Sequence, residues 1–125
     1  MKARDSLLRL RRFAAEEAAR KVSDLEQMIR EFQTIAVDLD RQIASEEDRT
    51  GVRDPAHFAY STFAKAAAQR RENLQTSIAD LEVKLEAARR ECEEARSAAE
   101  QLQPADHRDG SRMRRKSERR TAALG

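Results

Sequence analysis

Few residues in this chain are of the types that do covalent or metal chemistry, and their spacing is unfavourable for it. The two histidines, His57 and His107, lie fifty positions apart with no cysteine or carboxylate at ligand spacing beside them, so a metal site is not expected. The lone Cys92 falls on an apolar stripe and reads as a small packing residue rather than a nucleophile or a bridge. Glu91, Glu93 and Glu94 cluster in sequence, but on a helix they point in different directions and read as a solvated face. Neither a phosphate-cradling glycine loop nor a G-x-S-x-G elbow occurs. The reading is therefore of a protein that is not an enzyme and carries no cofactor.

Binding chemistry is better represented. Residues 1–12 hold Lys2, Arg4, Arg9, Arg11 and Arg12 against Asp5, a local charge of +4. Residues 107–120 hold seven cations, Arg112, Arg114, Arg115 and Lys116 among them, against two acids, a local charge of +5. Since the whole chain carries only +2, the stretch between them is acidic at −7. Three of the five aromatics, Phe58, Tyr60 and Phe63, fall within six residues in the run Asp54-Pro55-Ala56-His57-Phe58-Ala59-Tyr60-Ser61-Thr62-Phe63. That run reads either as a plug over Leu39 and Ile43 or as an exposed docking surface.

The elements that would position these groups are helices. One apolar stripe runs Leu8, Arg11, Ala15, Ala18, Val22, Leu25, Ile29, Phe32, Ala36, Leu39, Ile43 at alternating steps of three and four. A second runs Tyr60, Ala64, Ala67, Arg71, Leu74, Ile78, Leu81, Leu85, Ala88, Cys92, Ala95, Ala99, Leu102. Such a period is a coiled-coil seam. A composition of 38% charged residues with three Gly and two Pro suits long helices rather than a globular core. Gly51 is a natural helix stop, and Asp54-Pro55 a natural restart, with Ser61 or Thr62 as the competing cap.

The predicted fold is all-α, two long helices in an antiparallel coiled-coil hairpin spanning 1–104. Helix 1 is expected over about 4–48, a turn over 49–56, helix 2 from about 57, and a basic extension, helical or disordered, over 105–125. Centred near residue 52, the turn sets facing positions whose numbers add to about 105, pairing Leu25 with Leu81 and Phe32 with Leu74. In that register the N-terminus and the basic tail share one end of the hairpin. Eight of the 24 seam positions are Ala, so the isolated pair should be marginally stable. No apolar run approaches a signal or membrane span, which reads as soluble and cytoplasmic.

The segments Leu7-Leu8-Arg9-Leu10-Arg11-Arg12-Phe13, Asp54 to Phe63, Ala64-Lys65-Ala66-Ala67 and Gln69-Arg70-Arg71-Glu72-Asn73-Leu74 resemble the FliJ family of flagellar export proteins, most closely its alphaproteobacterial forms. The likeness covers roughly residues 1–115, and Asp-Pro-x-His-Phe-Ala-Tyr is its most specific part. Where members carry Pro after that Tyr, this chain has Ser61.

The resemblance implies a coiled-coil hairpin similar to the stalk of rotary ATPases, working in the cytoplasm at the inner face of the membrane-embedded type III export apparatus. Implied partners are the hexameric export ATPase, the cytoplasmic domain of the export gate, and export chaperones, with membrane association through partners only. The ATPase contact would fall on Arg4, Arg9, Arg11, Arg12, Phe13, Arg112, Arg114, Arg115 and Lys116. The gate contact would fall on His57, Phe58, Tyr60, Phe63, Arg70 and Arg71. Two alternatives remain beside it: a nucleic-acid binder using the basic end, disfavoured because the breaker cuts the seam midway, and a homo-oligomeric scaffold rather than a monomer.

Overall fold

A computed structural model describes residues 2–102. The protein is all-α: α1 spans Lys2–Thr50 and α2 spans Thr62–Glu100, packed against each other, with no strand among the described residues. The chain divides into two compact units, one built from residues 2–18 and 91–102, the other from Ala19–Arg90. The basic extension expected over 105–125 lies outside the described residues.

Unit 19–90 is a helical hairpin. Ile29 of α1 packs with Leu81 and Leu85 of α2, and Val22, Leu25, Phe32 and Ile78 close around them. Leu39, only 2% exposed, is the largest side chain fully withdrawn from solvent among the described residues. Across the seam, Arg71 pairs with Asp40, and Arg89 lies 3.5 Å from Glu26. The four side chains are only partly exposed and the Arg71 Nε itself is withdrawn from solvent, yet enough of each pair meets water that each adds no more than about 1 kcal/mol. The apolar contacts carry the unit, since burying one Leu or Ile gives ~1.5–3 kcal/mol.

In the unit of 2–18 and 91–102 the same antiparallel sense appears, with Leu8 and Ala99 buried. Arg11 reaches across so that its guanidinium donates to the carbonyl of Ala98 at 3.1 Å. This contact satisfies one of the carbonyls left without a partner in the last turn of α2, and it places a cation at the negative end of the helix dipole. Gln101 N–H to Ser97 O at 3.1 Å and Leu102 N–H to Ala99 O at 3.2 Å satisfy its neighbours.

Among the described residues, every one of the ten buried apolar side chains lies on the two stripes, and the remaining stripe positions are all half-buried. Two of the expected details differ. The connection runs over 51–61 rather than 49–56, and α2 begins at Thr62 rather than near 57. The register moves with it: Arg11 meets Ala98 and Asp40 meets Arg71, so facing positions add to 109 and 111 rather than 105. Leu81 accordingly packs in the cluster of Ile29, one helical turn beyond the Leu25 expected opposite it.

The longer connection has a local cause. Gly51, at φ +74°, donates its N–H to Glu47 O at 2.8 Å, closing α1 with a left-handed residue just past its end. Ser61, not Asp54, caps α2: its hydroxyl accepts from Ala64 N–H at 3.2 Å, while its carbonyl accepts from Lys65 N–H at 3.0 Å. Asp54 instead spends its carboxylate on an Asx turn, accepting from Ala56 N–H at 2.9 Å.

Candidate functional site

Two surfaces gather the residues singled out by sequence, and each belongs to one unit. The first is the opening of α1. Arg4, Arg9 and Arg12 are exposed, whereas Arg11 is half-buried and held on Ala98. Arg11 therefore acts first as a structural tie between the helices. Phe13 stands 58% exposed, joined by Leu10 at 66% and Leu7 at 41%. Leu7 and Leu10 were missed as candidate contacts, although their signal was present: both sit off the seam, at steps of three leading to Phe13. Arginines interleaved with large apolar side chains form a surface that binds protein well, because the charge steers approach and the apolar groups retain the partner. Arg112, Arg114, Arg115 and Lys116 lie outside the described residues, as does His107.

The second surface is the turn of unit 19–90, fixed by a chain of short-range hydrogen bonds. Beyond the Asx turn, His57 N–H donates to Asp54 O and Tyr60 N–H to His57 O, both at 3.0 Å. Ala59 N–H donates to the imidazole Nδ1 of His57 at 3.0 Å, so that nitrogen carries no proton in this arrangement. Two hydroxyls then pin the turn to α1: Tyr60 donates to Glu47 and Ser61 to Glu46, each at 2.9 Å.

The electrostatics follow from these bonds. Hydrogen bonds from Arg49 and Ser61 hold the Glu46 carboxyl below its ordinary value, desolvation opposing them. Desolvation, aided by the hydrogen bond to Glu47, pushes the Tyr60 phenol up, so it stays a donor further into the alkaline range. The cations here are already engaged, Arg49 with Glu46 and Arg53 with Asp48, which raises both guanidinium values.

The plug reading of the aromatics gives way to the exposed one for two of the three. Phe58 is 96% exposed and stacks only on His57, ring centres 4.7 Å apart, and Phe63 is 56% exposed. Tyr60 alone is half-buried on the seam. Arg70 is exposed on α2, while Arg71 is spent on Asp40 within the seam.

Other candidate chemistry is dispersed. Cys92 is a half-buried free thiol, and Glu93 pairs with Arg96 at 2.6 Å. Among the described residues no group of three His, Cys, Asp or Glu could hold a metal ion, and no helix is long and apolar enough to cross a membrane. The chain matches no family model, no curated protein and no solved structure.

Proposed function

We propose that this protein is a non-catalytic coiled-coil component of the flagellar type III export apparatus, a stalk that binds the export ATPase ring and the cytoplasmic domain of the export gate. The family likeness of residues 1–115 suggests the system, and the observation that carries the ATPase contact is the exposed face of α1. There Arg9 and Arg12 alternate with Leu10 and Phe13. A ring lined with carboxylates attracts such a face, and complementarity of this kind acts mainly on association rate and orientation. The aromatic turn supplies the second contact, toward the gate. Handling of export chaperones, and a cytoplasmic position held through partners, belong to the same reading.

The test is binding of the full chain to the purified export ATPase by titration calorimetry at low salt, with Arg9→Glu/Arg12→Glu as the variant. Both positions are exposed, so helicity should be unchanged while affinity falls at least about tenfold, equivalent to ~1.4 kcal/mol. Equal binding by the variant removes the basic face from the contact. Absence of binding by the wild-type chain removes the stalk.

A further inference from the structure

We infer that the hairpin of residues 19–90 pairs with a second copy of itself through one flank of its seam, forming a weak two-fold dimer. This goes beyond the export reading and does not depend on it. The two flanks of the unit differ. Glu26, Asp40 and Arg89 each follow a seam residue, and on that flank Asp40 pairs with Arg71 and Glu26 with Arg89 across the helices. The opposite flank holds the residues that precede seam positions, Met28 and Ile35 on α1 with Arg70, Ser77 and Lys84 on α2. Met28 is 41% and Ile35 42% exposed, one heptad apart, while Ser77 is half-buried although it lies off the seam. The flank therefore offers two large apolar side chains beside a small one.

The charges on this flank select the occupant. Its α1 edge is acidic, with Asp24, Glu31 and Asp38 exposed at steps of seven, and on α2 Arg70 and Lys84 are exposed. Acid on one helix and base on the other make the flank complementary to itself. A two-fold axis along the hairpin lays α1 of each copy over α2 of the other, whereas an axis across it sets acid on acid. Facing positions in this unit add to about 110, as in Ile29 with Leu81 and Asp40 with Arg71, so Asp24 stands level with position 86 and Asp38 with position 72. Each carboxylate then falls two residues, ~3 Å along the axis, from a cation of the second copy: Asp24 from Lys84, Asp38 from Arg70. Asp38 is available for this, since it leans only on Arg41 at 3.7 Å. Met28 and Ile35 stand level with positions 82 and 75, bracketing the second copy's Ser77. One contact opposes the pairing, because Glu31 comes level with the second copy's Asp80. Two attractive pairs against one repulsive pair on each side, over a short apolar strip, make the association weak. Nucleic acid or an anionic bilayer would meet the acidic α1 edge at the same contact.

The test is sedimentation equilibrium of the purified full chain, under reductant so that Cys92 cannot link copies, from about 5 µM to about 500 µM, a span suited to a small polar interface. The inference expects monomer passing to dimer. Asp24→Lys alone, or Lys84→Glu alone, sets like charges opposite in both halves and should weaken the dimer at least about tenfold with helicity unchanged. An equimolar mixture of the two variants restores both pairs and should dimerise as wild type does. Met28→Glu should abolish pairing, whereas Gln33→Glu, exposed on the other flank, should not. A chain that stays monomeric, an assembly larger than a dimer, a dimer unmoved by the charge reversals or by Met28→Glu, one lost in Gln33→Glu, or two variants that fail to pair on mixing overturns it. No export ATPase is present in this measurement, so its outcome stands apart from the calorimetric test above.

Discussion

Leu39→Ala is the substitution on which the packing argument is most exposed. Leu39 is the largest side chain fully buried among the described residues, at 2% exposure, and its neighbours give it little help. Ala36, one turn before it on its own helix, and Ala67 on the seam of α2 are both buried as well. Short side chains of this kind on the seam have few atoms to move into the space. Truncations of this kind cost ~2–5 kcal/mol, the larger values where the site cannot collapse. A two-helix seam can close by a small approach of the helices, so we expect about 3 kcal/mol. The chain has one Tyr and no Trp, so Tyr60 fluorescence reports this unit alone during urea unfolding. Val83→Ala, at a 70% exposed site of the same unit, serves as the control and should stay within ~0.5 kcal/mol of wild type. A loss at Leu39 below ~1 kcal/mol, or one equal to the control, would refute the claim that the stripes hold the helices together.

The turn supplies the remaining predictions. Gly51→Ala should cost about 1 kcal/mol, measured as a lower urea midpoint, because φ is +74° yet a Cβ there meets no atom within 4 Å, making the cost one of backbone conformation alone. Ser61→Ala removes both the cap of α2 and the hydrogen bond to Glu46, and should destabilise by ~0.5–2 kcal/mol while Thr62→Ala does not. Glu46 has a folded value below its ordinary 4.5, so its contribution is present above that value and is lost as pH falls through the lower folded one. Wild type should therefore lose stability on acidification more steeply than Glu46→Gln, as followed by urea midpoints from neutral pH downward.

The helices were legible in the sequence because one physical rule, burial at a period of 3.5 residues, governs both of them. Even the Arg intruders Arg11 and Arg71 were on the seam, and the structure shows why they are tolerated: one satisfies a helix-end carbonyl and the other keeps Asp40 beside it. The connection was harder to read. Asp54, Ser61 and Thr62 are all plausible caps, and the choice is made by Glu46 and Glu47, which draw the Ser61 and Tyr60 hydroxyls from fourteen or so positions upstream. That long-range bonding lengthens the turn and shifts the register. Exposure of Phe58 was equally hidden, since an aromatic beside a turn is as apt to cover the core as to leave it, and only the fixed path of 54–60 directs it outward.

The most direct test of the export reading is made in the host. Deleting this chain in a flagellated host and assaying the medium for exported flagellar subunits should show export strongly reduced, restored by the wild-type chain and restored less by Arg9→Glu/Arg12→Glu. Export and swimming unchanged by the deletion would contradict the account.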